Sequence, residues 1–96
     1  MATLFKLGQV IMTAGIEALL KDEKNEFNHV DLSKILYRHQ SGDDGDTCAE
    51  DKEANQFAIK QGNLRIMSVY KLMTVTLWVI TEHNRSYTTI LLPEEY

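Results

Sequence analysis

Hydrophobic and polar residues follow two different periods along this chain of 96 residues, and the change falls close to residue 64. Before that point, apolar residues recur every three or four positions, a spacing typical of helices with one buried face. After it, β-branched and aromatic residues dominate, which indicates strands. The pattern predicts an α+β fold in which three short helices pack on an antiparallel sheet of three to four strands with a C-terminal β-meander.

The ends of the three predicted helices are marked by capping residues. Thr13 is an N-cap candidate for the first helix, and Asp31 is the candidate for a second helix that stops near Gln40. Residues 47–50 match the S/T-x-x-E capping box, which predicts the start of a third helix. Gly62 stands where a left-handed C-terminal cap would end that helix.

The pattern predicts four strands along the chain. A first strand over residues 5–12 is predicted to be short or to lie at a sheet edge, because Gly8 weakens it. Three further strands are predicted over residues 64–72, 75–82 and 86–92, and their short connections require antiparallel neighbours. Asn84 tolerates a positive φ, which suits the turn of the second hairpin.

Length and composition favour one domain that spans residues 1–96 and encloses a single core. Cys48 is the only cysteine, so an internal disulfide is excluded and a reducing compartment is favoured. No apolar run approaches the roughly 18 residues of a membrane span, and the first residues do not form a signal peptide. We therefore expect a cytoplasmic protein without membrane contact.

Negative charge is concentrated in one segment of a chain whose formal net charge is -4. This acidic segment contains six carboxylates opposed only by Lys52, namely Asp43, Asp44, Asp46, Glu50, Asp51 and Glu53. Direct nucleic-acid binding is disfavoured, because that affinity usually comes from clustered lysine and arginine. The segment instead predicts a binding surface for a basic protein partner, although solvated aspartates around a helix start would give the same pattern.

A second interpretation places chemistry in a cleft formed by His39, Asp43, Glu82 and Arg85. Glycines in the loop that follows His39 would let a ligand approach the backbone, while the four side chains would supply acid, base and anion-binding groups. An ordinary helix stop and a cross-turn ion pair explain the same residues without chemistry. The loop lacks the ligand register of an EF-hand, so neither a metal nor a cofactor is expected.

Three segments of the chain carry a resemblance that extends over nearly its whole length: LGQVIMTAGI, RHQSGDDGD and WVITEHNRSYTTILLPEEY. They resemble a family of small plasmid-related proteins found in bacterial genomes, plasmids and phages. Members of that family have SGDWGD where this chain has Asp44 at the tryptophan position, and a Pro, Asp or Gly turn where it has Met73 and Thr74. The resemblance implies an origin in a mobile element and no particular activity.

Two classes of function follow. The first is a non-enzymatic inhibitor of host defence, an anti-CRISPR or anti-restriction protein that binds a nucleic-acid-handling effector through the acidic segment. The second is an enzyme acting on a nucleotide or RNA, or a sponge that sequesters a small ligand, through the cleft described above. An exposed edge strand would also allow a homodimer.

Overall fold

The computed structural model describes residues 3–25 and 27–96. A short strand precedes three helices, and three further strands and one 3₁₀ turn follow them. The elements are β1 (Gln9–Met12), α1 (Ala14–Lys21), α2 (His29–Gln40), α3 (Ala49–Gln61), β2 (Ile66–Leu72), β3 (Val75–Thr81), β4 (Tyr87–Leu91) and the 3₁₀ turn Pro93–Glu95. The α+β class predicted from the sequence is confirmed.

The four strands form one sheet in the order β1-β4-β3-β2. Strands β2, β3 and β4 are antiparallel neighbours, as the short connections predicted. Strand β1 lies at the edge, as expected, but it pairs parallel to β4, so the sheet is mixed. A parallel pair needs a long crossover, and the helices together with the first two meander strands supply it.

The main core lies between α1, α2 and one face of the sheet. Buried residues of the two helices, together with Phe27 just before α2, pack there against inward-facing residues of the strands: Ile16, Phe27, Leu32, Ile35, Tyr70, Leu77, Val79 and Ile90. On the opposite face Ile80 and Leu91 are buried, while Trp78 is half-buried and its ring lies 5.2 Å from that of Tyr96. Both faces are thus covered at least in part.

Helix α3 and the loop residues just before it lie along the edge of β2 and satisfy outer backbone groups of that strand. The side-chain amide of Asn55 accepts a hydrogen bond from the Met67 N–H at 3.0 Å and donates one to the Met67 carbonyl at 2.6 Å. The Val69 N–H donates to Thr47 Oγ1 at 2.9 Å, and the Val69 carbonyl accepts from the Asp46 N–H at 2.8 Å. Because an open edge invites pairing with other chains, this arrangement protects the sheet.

Two of the predicted helix starts differ from the observed ones. The N-cap of α2 is Asn28, whose side chain accepts from the Asp31 N–H, while Asp31 completes the capping box from the third helical position. The N-cap of α3 is Cys48 and makes no side-chain cap. The predicted capping box is therefore wrong, because Thr47 turns its hydroxyl toward β2 and the Asp44 carbonyl.

Other local predictions have mixed outcomes. Gly62 ends α3 with a φ of 80°, as expected. Thr13 is the N-cap residue of α1, but its hydroxyl donates to Glu95 rather than to the helix. In the second hairpin the positive φ belongs to Arg85, at 60°, and not to Asn84, whose side chain instead accepts from Ser86. No helix in the described part of the chain is long and apolar enough to cross a bilayer.

Candidate functional site

The loop between α2 and α3 is shaped by two glycines with positive φ, Gly42 at 88° and Gly45 at 62°. A Cβ atom on Gly45 would lie 2.4 Å from the Val69 carbonyl oxygen, so the loop approaches β2 too closely for any side chain there. The hydroxyl of Tyr70 donates to the Asp43 carbonyl at 2.6 Å from the sheet side. The loop is therefore held firmly, and its aspartates have defined directions.

The first two carboxylates of the acidic segment are engaged within the protein. Asp43 accepts from the Arg38 guanidinium at 2.8 Å and 3.3 Å, and these hydrogen bonds lower the pKa of the Asp43 carboxyl. Asp44 accepts from Asn55 Nδ2 at 3.0 Å and lies 3.9 Å from Lys52 Nζ. Only 14% of the Asp44 side chain is exposed, and the charge of Asp43, whose side chain is 55% exposed, is paired with Arg38.

The other four carboxylates of the segment are exposed. Asp46 lies in the loop, Glu50 and Asp51 lie in the first turn of α3, and Glu53 follows in its second turn. In the part of the chain that the structure describes, the only side-chain ion pairs within 4 Å are those of Asp43 and Asp44. Within the described residues, the solvent-facing charge of the segment that has no ion-pair partner thus comes from the loop end and the start of α3.

His39 lies at the C-terminal end of α2 and is 1% exposed. Its Nδ1 is 2.6 Å from Ser68 Oγ, and its Nε2 is 2.9 Å from Thr81 Oγ1. Thr81 in turn contacts Thr88 at 2.7 Å, and Thr88 donates to the Leu7 carbonyl at 2.7 Å. Because the Thr88 hydroxyl donates to that carbonyl, it must accept from the Thr81 hydroxyl. Thr81 Oγ1 then accepts from the Nε2–H of His39. The remaining ring nitrogen, Nδ1, accepts from the Ser68 hydroxyl.

Burial governs the protonation of this histidine. Desolvation, assisted by the positive charge of Arg85, lowers the pKa of His39 from 6.5 to about 4. The imidazole is therefore neutral near pH 7, in agreement with the tautomer that the hydrogen bonds assign. A neutral histidine with both nitrogens paired to hydroxyl groups is held rigidly, and solvent does not reach it.

Arg85 joins the second hairpin to the end of α3. Its guanidinium donates to the carbonyl oxygens of Leu64 at 2.7 Å, Glu82 at 3.0 Å and Ala58 at 3.1 Å, and it lies 5.7 Å from the centre of the Phe5 ring. Glu82 contributes its backbone to these contacts, and within the described residues its carboxylate forms no ion pair with Arg85. The guanidinium thus acts as a clamp between elements.

The four residues of the predicted cleft have different partners. His39 and Arg85 both contact Phe5, whose ring is 5.1 Å from that of His39 and 5.7 Å from the Arg85 guanidinium. The Asp43 carboxylate is paired with Arg38. His39 does border a pocket of about 270 Å³ between the end of α2, α3 and β2, while Asp43, Glu82 and Arg85 are absent from its described walls.

Most of the residues that form this pocket were not predicted from the sequence. Its walls combine apolar side chains of Leu4, Ile59 and Ile66 with polar groups of His39, Ser41, Asp44, Asn55, Gln56 and Ser68. One signal was available, because Ser68 interrupts the inward-facing row of β2 between Ile66 and Tyr70. A hydroxyl at a buried strand position implies a buried polar partner, although it does not say which one.

The described residues contain no group of three or more His, Cys, Asp or Glu side chains arranged to hold a metal ion. Every buried side-chain nitrogen and oxygen in the described part of the chain has a hydrogen-bond partner. No family model matches the chain, and comparison with curated proteins and with solved structures likewise yields no match.

Proposed function

We propose that this chain is a small accessory protein of a phage or plasmid that inhibits a host defence system by binding one of its proteins. The binding surface is the exposed part of the acidic segment, formed by Asp46, Glu50, Asp51 and Glu53. The observation that carries the proposal is that these four carboxylates face solvent on a firmly held loop and helix start. Rigid presentation lowers the entropic cost of binding.

The chemistry of this surface selects the class of partner. Exposed carboxylates attract lysine and arginine on another molecule and steer its approach, and a net charge of -4 extends that attraction. Defence effectors that handle nucleic acid carry basic channels for phosphates. An acidic protein that occupies such a channel would block it, so an anti-CRISPR or anti-restriction inhibitor acting in the cytoplasm is the function that we favour.

The enzymatic alternative receives less support from the geometry. A general acid or base must reach its substrate, and His39 is 1% exposed with both ring nitrogens engaged. The Arg85 guanidinium is occupied by backbone carbonyls, and Asp43 is paired with Arg38. The homodimer stays a hypothesis, for which β1 offers an edge with Val10 and Ile11 exposed.

The proposal is tested by a variant that converts Glu50, Asp51 and Glu53 to their amides. The wild-type protein should raise the plating efficiency of a phage on a host with an active CRISPR or restriction system, and the variant should lose this protection. With the purified effector, the variant should bind at least about threefold more weakly, since each exposed charge pair contributes roughly 0.2–1 kcal/mol. Binding of the wild type should also weaken as salt is raised.

A matched control removes three exposed carboxylates elsewhere, by Glu17→Gln, Glu23→Gln and Glu94→Gln. The control should keep both protection and binding, although its net charge equals that of the test variant. Circular dichroism of both variants checks folding, because acidic residues in the first turn of α3 also stabilise that helix. Equal losses in the two variants, or no protection by the wild type against either system, would refute the proposal.

A further inference from the structure

Apart from the Gln56 amide, which carries both kinds of group, the pocket beside His39 offers hydrogen-bond acceptors but few donors. The Asn55 amide N–H groups are directed to Asp44 Oδ2 and to the Met67 carbonyl, and the Ser68 hydroxyl donates to His39. Asp44 Oδ1 retains only a long contact of 3.9 Å to Lys52. A ligand that brings donors and no acceptors therefore suits this pocket best.

Another acceptor and the apolar walls narrow the choice further. The Ser41 hydroxyl donates to the Tyr37 carbonyl at 2.9 Å, which leaves its oxygen lone pairs available to a ligand. Leu4, Ile59 and Ile66 supply apolar surface beside the carboxylate of Asp44. The pocket thus combines a carboxylate at one end with apolar walls. This combination fits an aliphatic stem that carries a cationic head.

The volume of the pocket lies just below the range that is usual for sites of drug-sized ligands. Sites for drug-sized molecules measure roughly 300–1,000 Å³, and this one measures about 270 Å³. A nucleotide would also bring phosphates close to Asp44, which repels them. The volume of the pocket instead matches a ligand of the size of one amino-acid side chain.

We propose that this pocket binds the guanidinium group of a single arginine side chain. Arginine carries five N–H donors and no acceptor, and its planar head is more weakly hydrated than the ammonium of lysine. Its guanidinium would reach Asp44 Oδ1 and Ser41 Oγ, while its methylene stem would lie against Leu4 and Ile59. That this arginine belongs to a protein partner rests on the proposed function, since a basic partner presents such side chains.

The experiment uses the isolated full-length protein, with N-acetyl-arginine amide as the probe and N-acetyl-citrulline amide as its neutral isostere. NMR titration should shift the methyl signals of Leu4, Ile59 and Ile66 in a saturable way with the arginine compound. We expect the citrulline compound to bind at least about tenfold more weakly, because charge-assisted hydrogen bonds are lost. Equal shifts from the two compounds, or shifts confined to other regions, would overturn the inference.

Three variants sharpen the test. Asp44→Asn should weaken binding of the arginine compound by about tenfold or more, whereas Glu17→Gln removes an equal charge from the exposed surface of α1 and should leave this binding unchanged. Lys52→Gln removes the cation that competes for Asp44 and should strengthen binding, so the test survives even if Asp44→Asn fails to fold. Equal effects of Asp44→Asn and Glu17→Gln, or no gain from Lys52→Gln, would contradict the assignment.

The experiment on the pocket and the experiment on the proposed function can fail independently. If the protein protects phage through Glu50, Asp51 and Glu53 but does not bind the arginine compound, the pocket assignment fails and the proposed function stands. If the compound binds in a manner that depends on Asp44 while no protection is seen, the pocket stands and the proposed function fails.

Discussion

Acid should destabilise this protein through one buried histidine. The pKa of His39 lies at about 4 in the folded state against 6.5 for an unperturbed histidine. Between these pH values the unfolded chain binds a proton that the folded chain does not, so stability falls as the pH is lowered. The stabilisation is fully present above pH 6.5 and declines until about pH 4, a loss of roughly 3 kcal/mol at about 1.4 kcal/mol per pH unit.

Such a loss is large beside the 5–15 kcal/mol that separates typical folded domains from their unfolded chains. Its cause is structural, because protonated His39 would place a charge in the core and Arg85 would repel it. Both ring nitrogens would then be donors, and Nδ1 could no longer accept from Ser68. Urea unfolding monitored by the fluorescence of Trp78, the only tryptophan, measures the effect at a series of pH values.

The decisive comparison is between His39→Gln and His29→Gln. His29 is exposed, so its replacement should preserve the pH dependence of the wild type between pH 4 and 6.5. His39→Gln should be less stable at pH 7. Between pH 4 and 6.5 its free energy of unfolding should also depend less on pH, by the slope that uptake of about one proton produces. If His39→Gln does not fold, an NMR titration of His39 in the wild type replaces it. The reasoning is refuted by an unchanged slope in His39→Gln, or by a His39 signal that titrates near pH 6.5.

Two further substitutions test how the β2 edge is held. Asn55→Ala leaves the N–H and carbonyl of Met67 without their side-chain partner. In urea denaturation it should lower the free energy of unfolding by about 1–3 kcal/mol. A change within ±0.5 kcal/mol, the usual range for neutral surface substitutions, would contradict this role. Gly45→Ala should cost clearly more than Gly62→Ala, because both positions have positive φ but only Gly45 meets the Val69 carbonyl. Equal midpoints in thermal unfolding of the two glycine variants would show that the close approach is not rigid.

Several features of this protein were determined by the sequence alone because they depend on neighbours in the chain. The change of hydrophobic period near residue 64 separates helices from strands, since each period reflects the local geometry of one element. The short connections within the meander leave antiparallel pairing as the only choice. Glycines at positions 42, 45 and 62 adopt positive φ because no other residue does so as cheaply.

The functional residues were decided by contacts between distant parts of the chain. His39 can be buried because Ser68 donates to its Nδ1 and Thr81 accepts from its Nε2–H, and these two residues lie 29 and 42 positions further along the chain. The clamp role of Arg85 and the parallel partner of β1 likewise depend on where elements meet in space. Local pattern identifies which residues are polar, whereas only packing decides which of them are paired, buried or left at the surface, since burial and charge pairing are properties of the assembled fold.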